Sequence, residues 1–136
     1  MAANIIADTG FLIALLGKRE NHGQWAIQQA QMYPRPWYTC DAVITESFHL
    51  LGIRGWPSLI GLLHRHGLRA GFPLNEHIGP VLELMDKYRD VPMSFADACL
   101  VRMTEILADP LVLTTDADFR IYRRHSRKVV PCALPY

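Results

Sequence analysis

Four acidic side chains that lie far apart in the sequence occupy similar positions in the predicted secondary structure. Asp8 directly follows the first predicted strand, and Asp116 directly follows another strand predicted at 111–115. Glu46 falls within the first two turns of a predicted helix, and Asp97 falls in the first turn of another. Strand ends of one polarity and the starts of the following helices gather at one edge of an open parallel sheet. These carboxylates can therefore converge in one pocket.

Convergence of carboxylates predicts a bound cation. Two carboxylates about 4 Å apart repel by roughly 4 kcal/mol at an effective dielectric constant of about 20. Such a cluster must either take up protons or be neutralised by a divalent ion. A ligand set made only of oxygen atoms suits Mg²⁺ or Mn²⁺ rather than zinc. These ions activate water and hold a phosphate during in-line displacement, so the pattern favours phosphate chemistry.

The same acids also have structural interpretations. Asp8 and Asp116 can each cap the helical segment that follows them, and Glu46 can face solvent. Ser94-x-x-Asp97 is a capping-box pattern, in which Asp97 serves its own helix. However, the residues around Asp97 are mostly apolar, which predicts a place at the edge of the core, where an unpaired charge is costly.

Strands alternate with helices along the chain. Apolar and β-favouring runs predict strands, and apolar residues at helical spacing predict helices. The predicted strands are 4–7, 37–40, 72–74, 111–115 and 129–130. The predicted helices are a run that follows residues 8–10 and ends at about 16, then 41–51 with Gly52 as its stop, 58–66, 78–88, and a buried one from about 94 to 107. This alternation indicates an α/β fold with a parallel sheet covered by helices.

Length and composition fit one globular domain over residues 1–136. Half of the residues are hydrophobic and the formal net charge is +1, so any affinity for phosphate must come from a local patch. The three cysteines include no CxxC pair, which argues against a thiolate zinc site. No signal peptide and no run of about 20 apolar residues is visible, so we expect a soluble, cytoplasmic protein with no membrane contact.

Four segments of the sequence together resemble the PIN domain family. Residues 5–10 (IIADTG) resemble its opening strand with the first acid, and residues 44–46 (ITE) resemble its second acidic site. Residues 93–98 (MSFADA) resemble the third and are the most characteristic of the four segments. Residues 113–119 (LTTDADF) resemble the closing strand with its Asp-x-Asp-Phe signature. The four segments occur in the order found in the family and span essentially the whole chain.

This resemblance implies a fold, an activity and partners. The fold would be a three-layer α/β/α sandwich with a central, mainly parallel sheet. The activity would be that of an endoribonuclease that uses Mg²⁺ or Mn²⁺ held by Asp8, Glu46, Asp97 and Asp116, with Asp118 as the reserve for the fourth acid. Many stand-alone members are VapC-type toxins, which are often dimeric and are held inactive by a protein antitoxin. The segment 53–75 matches no family motif, and it leaves the RNA target undetermined.

Hydroxyl and basic side chains near these acids are candidates for positioning the substrate. Thr9 lies beside the first acid and Thr115 beside the fourth, although such hydroxyls commonly cap helices. Arg120, Arg123 and Arg124 belong to a basic run that follows the fourth acid and could hold the RNA backbone. The alternative is a solvated helix face whose charge favours the helix C-terminus.

Three other functions compete with the toxin ribonuclease. A PIN-like module could bind RNA or protein without catalysis, although such modules tend to lose acids and here none is missing. A housekeeping RNA-processing nuclease would carry the same site. A phosphohydrolase of small phosphate esters is compatible with residues 8–10 but is disfavoured by the sequence around Asp97. The six histidines show neither metal-ligand spacing nor a catalytic pair.

Overall fold

Five parallel strands form the centre of the computed structural model, which describes residues 2–18 and 21–136. Their order across the sheet is β3-β2-β1-β4-β7, and every neighbouring pair is parallel. A separate antiparallel hairpin joins β5 to β6. The strands are β1 Asn4–Ala7, β2 Trp37–Thr39, β3 Leu68–Ala70, β4 Pro110–Leu113, β5 Arg123–Arg124, β6 Lys128–Val129 and β7 Cys132–Ala133.

Within the described residues, five α-helices flank this sheet, so the fold is the expected three-layer α/β/α sandwich. Helix α1 packs against α2 and α3, and α4 packs against α5. Over the part of the chain that the structure describes, no helix is long and apolar enough to cross a bilayer. The helices are α1 Thr9–Leu16, α2 Gly23–Met32, α3 Asp41–His64, α4 Leu74–Lys87 and α5 Phe95–Ile106.

Strand β1 lies at the middle of the sheet because its side chains are apolar on both faces. Ile5, Ile6 and Ala7 are all buried, as expected for a strand covered by helices on both sides. It pairs with β4 over its whole length, from Asn4 opposite Pro110 onwards. The ends of these two strands therefore lie side by side.

Helix α3 is broken at Gly52, where the sequence predicts a helix stop. Gly52 has φ 68° and ψ 171°, a conformation open essentially to glycine alone. The prediction of a helix from 41 to 51 is confirmed, but the next helical segment starts directly after the break rather than at 58, and it ends at His64 rather than 66. Trp56 braces the two halves, since its indole Nε1 donates to the carbonyl of Phe48 at 2.9 Å.

One strand prediction was wrong, and a second was confirmed only in part. Residues 72–74 form no strand, because Leu74 already begins α4 and the ring of Phe72 stacks on His77 with centroids 5.4 Å apart. Val129 pairs only within the β5–β6 hairpin, and Val130 is a core residue outside any strand. The edge strands β3 and β7 were not predicted. They have three and two residues, too few to show an alternating pattern.

Candidate active site

A cleft of about 480 Å³ opens at the carboxyl end of β1 and β4, and all four predicted acids lie in its wall. Strand pairing explains this convergence, because Ala7 lies opposite Leu113 in the parallel register. The residues that follow these two strands therefore emerge together. The polar residues of the wall are Asp8, Thr9, Asn21, His22, Glu46, Ser94, Asp97, Thr115 and Asp116.

Asp8 is the most deeply placed of the four acids. Its side chain is buried, with Oδ1 accepting from the backbone N–H of Thr9 at 2.7 Å and Oδ2 accepting from the hydroxyl of Thr114 at 2.6 Å. Burial raises the pKa of Asp8 to about 7, and the charges of Asp97 and Asp116 act in the same direction. The two hydrogen bonds lower this pKa but do not offset burial.

Thr114 links the first and the fourth acid. Its side chain is fully buried, and its Oγ1 both donates to Asp8 and accepts from the backbone N–H of Asp116, the latter at 2.9 Å. Thr115 lies in the wall of the cleft, whereas Thr114 supports the acids from behind.

Asp97 lies in the first turn of α5 and has both of the roles that the sequence left open. Ser94 and Asp97 form the capping box, with the backbone N–H of Asp97 donating to Ser94 Oγ at 3.0 Å. Asp97 also lies in the wall of the cleft. Burial is the main cause of its raised pKa, and the charge of Asp116 adds to it.

Tyr122 is a site residue that the sequence analysis missed. Its hydroxyl donates to Asp97 Oδ2 at 3.0 Å, across 25 residues of sequence. Its ring is fully buried and packs edge-on against Phe119 and Tyr88, with centroids 5.3 and 5.2 Å away. Burial first, and then the charge of Asp97, raises the pKa of this phenol, which therefore remains a hydrogen-bond donor. The sequence around Tyr122 carries no signal for this contact.

The structure distinguishes the two candidates for the fourth acid. Asp116 lies in the wall of the cleft, and its Oδ1 also accepts from the backbone N–H of Asp118 at 2.9 Å. This bond caps the short 3-10 turn Ala117–Arg120. Asp118 does not lie in the wall and contributes its N–H group to that turn. The geometry therefore favours Asp116 over the reserve candidate.

Glu46 lies at the mouth of the same cleft. It is on α3, in the first half of the helix, and it is exposed to solvent. It is nevertheless part of the cleft wall. Glu46 therefore both faces solvent and belongs to the acidic site. Glu46 differs from Asp8, Asp97 and Asp116, which are at least partly buried.

The three arginines proposed to position RNA are not in the wall of the cleft and have other partners. Arg123 Nη1 donates to the carbonyls of Arg120, Ile121 and Tyr122, at 2.7, 3.2 and 2.9 Å. Arg124 Nη2 donates to the carbonyl of Thr104, and Arg120 Nη2 donates to that of Tyr136. These bonds hold the chain around the β5–β6 hairpin and the C-terminal segment. The geometry gives these arginines structural roles.

The chemistry of the cleft suits a divalent metal ion that keeps part of its water shell. Its candidate ligands are all carboxylate oxygens, the donors that Mg²⁺ prefers, and three of the carboxylates lie close enough for mutual repulsion. Thr9 Oγ1 also lines the cleft, buried and without a hydrogen-bond partner among the described residues. Within residues 2–18 and 21–136, no three His, Cys, Asp or Glu side chains stand close enough to hold an ion directly. Mg²⁺ commonly binds through one or two carboxylates and several waters, which fits this wider spacing.

Gly10 packs directly against the cleft wall. A Cβ atom on Gly10 would lie 1.9 Å from Thr115 Oγ1. The first turn of α1 and the residues after β4 can approach this closely only because Gly10 has no side chain. The position of Thr115 in the cleft therefore depends on a glycine beside the first acid.

Comparison with known protein families gives one match. The model of the PIN domain family matches residues 5–124, from β1 to β5. The matched region contains all four acids of the cleft as well as Tyr122. A search of curated proteins gives no match.

The free energy of unfolding of the metal-free protein should depend on pH because of Asp8. Between its ordinary pKa of 3.8 and its folded value of about 7, the folded protein holds a proton that the unfolded chain has lost. The free energy of unfolding should therefore fall, by on the order of 4 kcal/mol, as pH rises from about 4 to about 7, and then level off. Denaturant titrations in EDTA should show that Asp8→Asn removes most of this fall. Asn substitution of the exposed Asp90 should preserve it, and a fall equally steep in Asp8→Asn would contradict the assignment.

Substitution of Gly10 should be coupled to Thr115. Gly10→Ala should lower the free energy of unfolding by about 1–3 kcal/mol, because the new methyl group overlaps the threonine hydroxyl. In a Thr115→Ala background the cost should be clearly smaller, giving a measurable coupling energy in a double-mutant cycle. Gly71→Ala is the matched control, since no atom lies within 4 Å of its Cβ position. Additive effects of the Gly10 and Thr115 substitutions would show that the contact is absent.

Proposed function

The chain belongs to the PIN domain family, whose members are generally nucleases, and on that premise we propose that it is an endoribonuclease dependent on Mg²⁺ or Mn²⁺. The observation that carries this proposal is the convergence of Asp8, Asp97 and Asp116 in one cleft. Each of these acids reaches the cleft from a different part of the chain, and the charges of the other two add to burial, the main cause, in raising the pKa of Asp8. A site of this kind is arranged to bind a cation.

The proposed metal-binding acids are Asp8, Glu46, Asp97 and Asp116, of which one or two would contact the ion directly and the others through its bound waters. When bound there, a divalent ion activates water and stabilises the charge of the phosphate under attack. Because its pKa is raised to about 7, part of the metal-free protein carries a proton on Asp8 at neutral pH, and Asp8 must lose this proton to act as a ligand. Thr9, whose buried hydroxyl has no partner among the described residues, is placed to bind a water or a phosphate oxygen at the same site.

Two hydroxyl groups orient the acids and leave oxygens available. Tyr122 and the capping interaction both use Oδ2 of Asp97, so Oδ1 of Asp97 has no hydrogen-bond partner among the described residues. Thr114 holds Oδ2 of Asp8 while also accepting from the backbone of Asp116. Groups that hold metal ligands in this way tune both their orientation and their basicity. Thr114 and Tyr122 are therefore positioning residues in the proposed mechanism.

Cleavage of RNA by purified protein tests the proposal. Mg²⁺ or Mn²⁺ should support cleavage that leaves 5′-phosphate and 3′-hydroxyl ends, and EDTA should abolish it. Because metal stabilisation supplies several kcal/mol of the barrier reduction, Asp97→Asn should lower the rate at least about 100-fold. Asp90→Asn, at an exposed position outside the cleft, should leave the rate unchanged.

Three results would contradict the proposed activity. Undiminished cleavage in EDTA would exclude the metal mechanism. Products with 2′,3′-cyclic phosphates would show that the ribose hydroxyl, rather than water, attacks phosphorus. Binding of RNA without cleavage under every metal condition would identify a non-catalytic module.

We further propose that the nuclease is a toxin of the VapC type, controlled by a protein antitoxin and active as a homodimer. The sequence resemblance supports this role, and the exposed apolar side chains of Ile53, Trp56 and Ile60, on one face of α3, offer a surface for a protein partner. Induced expression in a bacterial host should arrest growth, whereas Asp97→Asn at the same protein level should not. Normal growth with the wild-type protein would instead support a housekeeping nuclease.

A further inference from the structure

A second groove of about 300 Å³ lies next to the acidic cleft, between the end of α1 and the broken helix α3. Ile13 and Leu50 line both cavities, so the two are adjacent. Beyond this junction the wall of the second groove contains Lys18, Arg54 and Ser58. We refer to the part lined by these three residues, together with its apolar floor, as the side groove.

The side groove and the cleft have opposite charge. Lys18 and Arg54 are both exposed, and neither has a hydrogen bond or an ion pair with another described residue. No acidic side chain lies in the wall of the side groove along the described part of the chain. The sequence explains this for the part of α3 that lines the groove and for the residues beyond it, since it has no Asp or Glu from 47 to 75. A cationic groove therefore begins directly beside the four carboxylates.

The break in α3 separates these two charges. Glu46 lies before Gly52 and Arg54 lies after it, so one helix presents an acid to the cleft and a cation to the side groove. Gly55, the next residue in the groove wall, packs against Leu51, since a Cβ atom on Gly55 would lie 2.9 Å from the Cβ of Leu51. Part of the segment 53–75, which the sequence analysis could not assign, thus forms the wall of a cavity that adjoins the proposed active site.

We propose that the side groove binds the backbone of single-stranded RNA next to the phosphate that is cleaved. This inference rests on the proposed nuclease function. Lys18 and Arg54 would each bind a phosphate, since ammonium and guanidinium groups are pure donors and phosphate oxygens are pure acceptors. The apolar floor, which includes Leu16 and Leu51, would contact ribose and base faces.

Electrostatics explains why the nuclease needs this groove. The phosphates on either side of the cleaved bond also come near the carboxylates of the cleft, which repel them. A metal ion bound in the cleft reduces this repulsion only for the phosphate that is close to the ion. Lys18 and Arg54 in the adjacent side groove would compensate this repulsion. They would also fix the direction in which the RNA strand leaves the cleft. The charge pattern favours RNA over a protein segment, because a peptide needs acceptors as well as donors in its groove.

The salt dependence of cleavage tests the inference. For a labelled single-stranded RNA in Mg²⁺, log(1/KM) should fall linearly with log salt concentration, with a slope of about −0.7 for each phosphate contact. Lys18→Gln and Arg54→Gln should each make this slope shallower by about 0.7, and the double variant by about 1.4. The value of kcat at saturating RNA should stay unchanged, because neither residue lies in the wall of the acidic cleft. Arg65→Gln is the matched control, since Arg65 is exposed at the far end of α3 and outside the side groove.

The outcomes separate this inference from the nuclease proposal. If the wild-type protein cleaves RNA but both variants keep the wild-type slope of log(1/KM) against log salt concentration, the side-groove proposal is overturned. The nuclease proposal is then unaffected. An equal change in Arg65→Gln would also overturn the side-groove proposal, because the effect would then reflect overall charge. If the variants lose binding of a partner protein and keep the RNA slope, the groove binds protein instead. A wild-type protein that cleaves no RNA would overturn both proposals.

Discussion

The parallel pairing of β1 with β4 is the constraint on which the site depends. Because Ala7 lies opposite Leu113, strands β1 and β4 end side by side. This places Asp8 beside Thr114 and Asp116, which follow β4. The hydrogen bond from Thr114 to Asp8, 2.6 Å long, closes this junction. A slip of one residue would turn these side chains to the opposite face of the sheet. The buried apolar side chains of β1 oppose such a slip and so maintain the geometry of the acids.

Each of the three buried or half-buried acids also stabilises the start of a helical segment, and this use does not conflict with a role in binding. Asp97 caps α5 and is held by Tyr122 through the same oxygen, Oδ2. Asp116 caps its 3-10 turn through Oδ1 and has Oδ2 without a partner among the described residues. The caps hold the carboxylates in place, which lowers the entropy cost of binding an ion or a substrate. Structural and chemical roles therefore act together at these positions.

A formal net charge of +1 conceals a separation of charge on the surface. Four acids, Asp8, Glu46, Asp97 and Asp116, lie together in the wall of the cleft, whereas the stretch from 47 to 75 has only basic charges. Helix α3 passes from one region to the other, and its break at Gly52 lies at the boundary. Local fields of this kind govern binding even where the overall charge is almost balanced.

Features that depend on neighbouring residues could be predicted from the sequence. The buried strand β1, the capping box at Ser94 and the helix stop at Gly52 each arise from a few adjacent side chains. The positions of the acids after strands and at helix starts could be predicted for the same reason. Tertiary structure alone decided that β3 and β7 form the edges of the sheet, since such short strands are stabilised only by their partners. It also decided that Tyr122 holds Asp97 and that Arg123 binds backbone carbonyls. These contacts depend on register and packing between elements brought together by the fold, which no local pattern of residues specifies.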